Sequence, residues 1–240
     1  MKKLAHLSFD DVFSSIYWLY INRPTSIFDM VFYGTLRRLH LDYGAVFSLY
    51  AFLGSKVFSI EMIPDEYCHE FYEASEWLRF GYHADTPGKP ILDYDISAFK
   101  NSLLLFDRAM CRLTPANRIC KCTRLHDWSA SSEQIAVMKS LGATSLLCRD
   151  NEGLSYDLTP DECVILNTAG FYEKNNMGYR RTDIRFDNCK NINTLLAPVI
   201  ETDKEEIVLF GHEQWFSNSI DAIEGSIAQL YKNEYAFFAE

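Results

Sequence analysis

Leu4-Ala5-His6-Leu7-Ser8-Phe9-Asp10-Asp11-Val12-Phe13 is an apolar run, rich enough for a buried strand, that stops in two adjacent carboxylates. A helical pattern follows almost at once, over about Phe13 to Tyr20. In α/β proteins the carboxyl ends of strands are where ligands are met, so the two acids are placed for chemistry. An Asp at such a junction also serves as a helix cap. Spacing alone leaves both uses open.

The rest of the chain repeats the motif of a strand ending in a polar side chain. A strand over Arg79 to His83 closes on a histidine, one over Ile119 to His126 does the same, and Glu206 to Gly211 runs into His212. Between them lie helical patterns: Ser26 as a cap with Asp29 three residues on, a helix opened by Pro64, and a helix to Cys111 capped by Asp95 or Ser97. A helix from Glu133 stops at Gly142, a short helix covers Asn191 to Pro198, and a last one runs from about Ser219 to Ala239. Further strands are expected at Ala45 to Phe52 and Thr144 to Cys148. From Asn151 to about Asn193 the periodicity weakens; Gly153 to Thr159 reads as a hairpin arm and Thr182 to Phe186 as a strand. Strands alternating with helices over short connections argue a parallel sheet or barrel. Site residues drawn from strands along the whole chain favour closure, hence an α/β fold of parallel-barrel type in one domain, 1–240.

The 240 residues are 48% hydrophobic and 23% charged, with net charge −10. Nucleic-acid binding calls for a basic stripe; Arg37-Arg38 and Arg180-Arg181 are isolated pairs, so no nucleic-acid partner is expected. No stretch approaches the roughly 20 apolar residues of a membrane span. Met1-Lys2-Lys3 is basic but leads into too short an apolar run for a secretion signal. Seven scattered cysteines, with Cys120-Lys121-Cys122 lacking metal-knuckle spacing, read as reduced thiols of a cytoplasmic protein.

Of six histidines, His6 and His40 read as structural and His69 as solvated. The remaining three, with Asp10-Asp11, fit metal-assisted hydrolysis. One carboxylate and two imidazoles leave an open position on a divalent ion such as zinc. A second carboxylate accepts a proton from water, and a further His protonates the leaving group.

Ser8-Phe9-Asp10-Asp11 resembles the first motif of the NodB-type polysaccharide deacetylases, Thr-Phe-Asp-Asp-Gly; Phe80-Gly81-Tyr82-His83 resembles the run into the second motif, and Leu209-Phe210-Gly211-His212-Glu213 the last, Leu-x-His. The resemblance implies a distorted (β/α)7-type barrel and removal of N- or O-acetyl groups from sugars. It assigns Asp10 as catalytic base, Asp11 and His83 as metal ligands and His212 as general acid. The chain departs from the pattern at Val12, where the family has glycine, and at Pro87, where it has its second metal His. His126 is taken as the replacement ligand, and Arg124 as the counterpart of the family's third-motif arginine. The implied cofactor is one divalent metal ion, zinc foremost. The implied partner is a carbohydrate, as a polysaccharide precursor or a nucleotide- or lipid-linked sugar. Arg124, Trp128, Arg181 and Trp215 are the candidate substrate-binding residues, and Glu213 a support for His212. Two rivals remain: a deacetylase-like barrel that binds sugar without turnover, and a glycosidase in which Asp127 or Glu213 partners one of the two aspartates.

Overall fold

The computed structural model describes residues 3–151, 153–187, 192–202 and 204–239; Met1, Lys2, Glu152, Asn188, Cys189, Lys190 and Asn191 of the segments read above lie outside them. The opening stretch is β1 (Leu4–Val12), buried along nearly all its length. It is central to a sheet with β2 (Phe47–Phe52), β3 (Leu78–Ala84), β8 (Ile184–Arg185) and β9 (Glu206–His212), in the order β3-β2-β1-β9-β8, all parallel. A second sheet runs β4-β5-β7-β6, from β4 (Cys122–Thr123), β5 (Ser145–Leu147), β6 (Phe171–Lys174) and β7 (Met177–Arg180); only the β6–β7 hairpin is antiparallel. Among the described residues eight α-helices accompany the strands: α1 (Ser14–Asn22), α2 (Val31–Tyr43), α3 (Cys68–Ala74), α4 (Ile96–Met110), α5 (Ser132–Ser140), α6 (Pro160–Ala169), α7 (Ile192–Glu201) and α8 (Phe216–Lys232).

The mixed α/β fold with a mostly parallel sheet agrees with the sequence, but the described strands do not close a continuous barrel. Two seams join the sheets. At one, the Cys120 amide donates to the Phe80 carbonyl at 2.9 Å, beside β3 and β4. At the other, one extended segment changes partner: β7 pairs with β5, and after Arg181-Thr182-Asp183 the chain resumes as β8 on β9. Counting β7 and β8 as one broken strand recovers the seven-fold parallel pattern.

Local chemistry accounts for most element ends. Ser26 and Asp29 form the expected reciprocal cap, although on a 3-10 turn that precedes α2. Asp95 caps α4, and Ser131 with Gln134 caps α5. The segment 153–159 is irregular instead of a hairpin arm; its Thr159 caps α6, a helix the weak periodicity concealed. The expected strand to His126 stops at Thr123, and His126 sits in a tight turn, His126–Trp128. The last helix ends at Lys232, because the chain turns back to add β10 (Ala236–Phe238) beside Leu4–His6. No described helix is long and apolar enough to cross a membrane, and no disulfide joins the six described cysteines.

Candidate metal centre

The two aspartates part company at the end of β1. The ladder with β9 stays regular through Asp10, opposite His212, whereas the ladder with β2 shifts register between Phe9 and Val12. Within that bulge Asp11 has φ 56°, a left-handed backbone that non-glycine residues adopt at a cost of about 1–3 kcal/mol. A regular strand would send Asp11 to the face opposite Asp10; the bulge re-aims it, and Asp11 meets His83 and His126 while Asp10 meets Arg124. Neither caps α1. That task falls to Glu213, whose Oε2 accepts from the Phe13 and Ser14 amides at 2.8 and 2.7 Å and whose Oε1 accepts from Ser15 at 2.6 Å. Glu213 therefore anchors the β1–α1 turn; the expected support of His212 comes from elsewhere.

Asp11, His83 and His126 converge, with one ligand atom each within 4.8 Å of the others. Asp11 Oδ1 lies 3.2 Å from His83 Nε2 and 3.5 Å from His126 Nδ1, and the two ring nitrogens are 3.3 Å apart. His83 Nδ1 is 2.6 Å from the Arg124 carbonyl. A carbonyl only accepts, so Nδ1 carries the hydrogen and Nε2 is the ring atom turned to Asp11 and His126. Asp11 Oδ1 is buried without a hydrogen-bond partner among the described residues. Burial works to raise the Asp11 carboxyl, but His126 and His83 more than offset it and hold it below the usual carboxylate range. Its contact with Asp11 raises His126 against the opposing effect of burial. One carboxylate oxygen and two ring nitrogens gathered within 3.2–3.5 Å of one another are placed to share a cation, and an Asp/His/His donor set suits a divalent transition metal.

Both histidines are held firmly. The Phe52 ring meets each edge-on, at 5.2 and 5.4 Å between centroids. The turn carrying His126 places Asp127 and Trp128 at φ 59° and 51°. Arg149 pins it by donating to the Asp127 carbonyl, and the Tyr156 amide by donating to that of Trp128.

Asp10 faces Arg124, both buried, at 3.0 Å. The guanidinium also donates to Ser8 Oγ at 2.9 Å and Thr182 Oγ1 at 3.0 Å, and it lies over the Phe210 ring. Arg124 has no exposed surface and its guanidinium meets Asp10, Ser8 and Thr182, so it is not open to a substrate as the sequence suggested. Arg181 is likewise displaced from the site: it donates to the Asn167 carbonyl at the end of α6. His212 is oriented by Asp187, which the sequence reading missed. The carboxylate takes the His212 Nδ1 hydrogen in a short bond, accepts from the His212 amide at 3.0 Å and is bonded by Arg185 Nε at 2.9 Å. Burial works to raise the Asp187 carboxyl, yet its bonds with His212 and Arg185 hold it below its ordinary value. Trp128 is half-buried, edge-on to Phe210, whereas Trp215 is 41% exposed just beyond His212. His6, His40 and His69 stand apart: His6 is buried near Tyr50, His40 stacks on Trp77, and His69 is exposed beside Glu73.

No protein-family model matches the chain, and no curated protein matches it significantly. Solved structures do share its fold. A protein from Mycobacterium smegmatis assigned to the polysaccharide deacetylases superposes with a TM-score of 0.62 at 9% identity, covering 96% of this chain and 84% of that one. A carbohydrate esterase family 4 pseudoenzyme from Bacillus anthracis gives 0.56 at 11% identity, over 98% and 63%. A family 4 acetyl xylan esterase from Clostridium thermocellum, in complex with a cobalt ion, gives 0.53 at 10%, over 98% and 87%. The chain thus has the polysaccharide-deacetylase fold, and it spans less than two thirds of the length of the Bacillus protein.

Proposed function

We propose that this chain is a metal-dependent hydrolase that removes an N- or O-acetyl group from a carbohydrate, working on one domain over 1–240. The observation that carries the reading is the meeting of Asp11, His83 and His126, flanked by the Asp10–Arg124 and His212–Asp187 pairs. Asp11, His83 and His126 are the residues that hold the ion. A divalent ion bound there, zinc foremost, supplies Lewis acidity, polarising an acyl carbonyl and making water more acidic. Asp10 is the base for the attacking water, its carboxylate held in place by the buried Arg124. His212 is the acid for the departing sugar nitrogen or oxygen. Asp187 occupies its Nδ1, which leaves Nε2 for the proton transfer. Trp215, exposed beside His212, is a surface for a sugar ring, with Trp128 behind the His126 turn. The four buried thiols suit a reducing compartment, and we assign the cytoplasm.

The test is metal content with acetate release. After loading, the parent protein is expected to retain about one divalent ion per chain and to release acetate from acetylated glycans. His83→Ala and His126→Ala are expected to lose the ion. Fewer than about 0.1 ion per chain overturns the reading, since such sites bind divalent ions tightly. Retention by His126→Ala but not His83→Ala overturns the ligand assignment. Pro87, in the place of the family's second histidine, favours a second reading, a barrel that binds sugar without turnover; full metal content without acetate release selects it. A two-carboxylate glycosidase fits less well, because both oxygens of Glu213 are occupied by the α1 amides.

A further inference from the structure

One backbone segment, 124–127, steers both histidines of the centre, and it steers them in opposite senses. His83 stays on β3 and reaches in with the tip of its ring. Its Nε2 lies 3.2 Å from Asp11 Oδ1, while its Nδ1 is tied to the Arg124 carbonyl at 2.6 Å. His126 is turned the other way. Its Nδ1 lies 3.5 Å from Asp11 Oδ1 and 3.3 Å from His83 Nε2, and its Nε2 lies 3.6 Å from Asp127 Oδ2.

The backbone accounts for the difference. Nδ1 is bonded to Cγ, whereas Nε2 is at the far end of the ring, so a histidine that meets a centre through Nδ1 brings its backbone closer. β4 stops at Thr123, and the turn that follows has Asp127 and Trp128 at φ 59° and 51°. Left-handed residues of this kind persist where the surrounding structure holds them, commonly at functional sites. Here Arg149, bonded to the Asp127 carbonyl, and the Tyr156 amide, bonded to that of Trp128, supply the hold. The same turn sets the Asp127 carboxylate at the outer nitrogen of the neighbouring ring. A carboxylate accepts hydrogen bonds, so it favours the tautomer with its hydrogen on Nε2, which leaves the Nδ1 lone pair for an ion. Metal-bound histidines are held by such a carboxylate or carbonyl on their other nitrogen. The Arg124 carbonyl fills that place for His83, and Asp127 for His126.

We infer that His126 binds the ion of this centre through Nδ1, whereas His83 binds through Nε2, and that Asp127 is the positioning residue that fixes the His126 tautomer. The inference rests on the metal reading of the centre and is independent of the reaction performed there. A consequence is that the site takes a short donor at position 126 and refuses a longer one.

The test reads the tautomers in the zinc-loaded full chain, by long-range proton–nitrogen correlation NMR on protein labelled in its histidine nitrogens. His83 is expected to carry its hydrogen on Nδ1 and His126 on Nε2. Zinc affinity, by competition with a chelator, supplies the second readout. His126→Asp keeps its donor on an atom bonded to Cγ, as Nδ1 is, and His126→Glu sets it one bond further out. His126→Asp is expected to bind zinc at least about tenfold more tightly than His126→Glu. The Asp127 side chain is 61% exposed, and Asn tolerates a left-handed backbone. Asp127→Asn is therefore expected to weaken zinc binding roughly tenfold, but by less than about threefold in the His126→Asp background, where there is no ring to orient. A zinc-bound His126 with its hydrogen on Nδ1 overturns the inference. So does a preference for His126→Glu, or an Asp127→Asn effect of the same size in both backgrounds. A parent chain that retains no zinc overturns it together with the metal reading. Zinc held with the expected tautomers but without acetate release sinks the deacylation reading and leaves this one standing.

Discussion

Replacing Arg124 by Met tests the interior of this fold at its most exacting point. Arg124 is fully buried and Asp10 nearly so, and their 3.0 Å contact is the ion pair that lets a carboxylate sit inside the strand layer. Methionine approximates the volume of the stem but leaves Asp10 charged, buried and unpaired. Removing one partner of a buried pair costs about 3–5 kcal/mol. The lost bonds to Ser8 and Thr182 place Arg124→Met toward the upper end of that range. In a chain of this length that corresponds to roughly 6–20 °C in Tm. The companion change Asp10→Asn removes the charge and keeps an acceptor. The double variant is therefore expected to be more stable than the sum of the single changes by about 2 kcal/mol or more. Urea unfolding of the four proteins at neutral pH measures the cycle. Single changes that add within about 0.5 kcal/mol refute the claim that Arg124 is retained for Asp10.

Three further outcomes follow from other contacts. Glu213→Ala leaves three amides at the start of α1 without their acceptor and should cost about 2–4 kcal/mol in chemical denaturation; a loss under 0.5 kcal/mol means that water replaces the carboxylate freely. Asp187 titrates below its ordinary value, so its ionised form stabilises the fold fully above about pH 4, and that contribution is lost as pH falls through the lowered folded value. Asp187→Asn should then be less stable than the parent by about 1–3 kcal/mol near neutrality, with the gap closing in acid; a gap that does not change with pH contradicts this. Gly81→Ala puts a methyl 2.8 Å from two ring carbons of the buried Tyr50 and 3.1 Å from Cys120 Cβ, at the β3–β4 seam. It should cost about 1–3 kcal/mol, and an unchanged Tm shows that the seam has slack.

Much of the candidate site was legible because it lies where strand periodicity meets polarity. Asp10, Asp11, His83 and His212 each close an apolar run, and a run of that kind has one direction and one end. His126 reaches Asp11 and His83 by a route the sequence did not suggest, since its strand stops at Thr123 and a turn with two left-handed residues carries the ring there. Asp187 escaped notice because it follows a two-residue strand in the weakly periodic segment, and nothing local separates it from a surface acid. Its only signal is distant: the carboxylate gains meaning when β8 is paired with β9. The roles of Arg124, Arg181 and Glu213 were misjudged for a related reason. A long charged side chain reads as exposed until the packing around it is known.

The alternation of strands with helices, the acid pair at the end of the first strand and the histidines near the ends of β3 and β9 were written in the sequence itself. Burial imposes a period along each strand, and that period is local. Tertiary structure alone decided which partner each charge meets. Arg124 holds Asp10, Glu213 frees both aspartates from capping α1, and Asp187 turns His212, through contacts 114, 198–200 and 25 residues apart along the chain. No helix or strand period reaches across such separations. They are set by which strands lie side by side, and electrostatics then selects among the charges that packing has brought into reach.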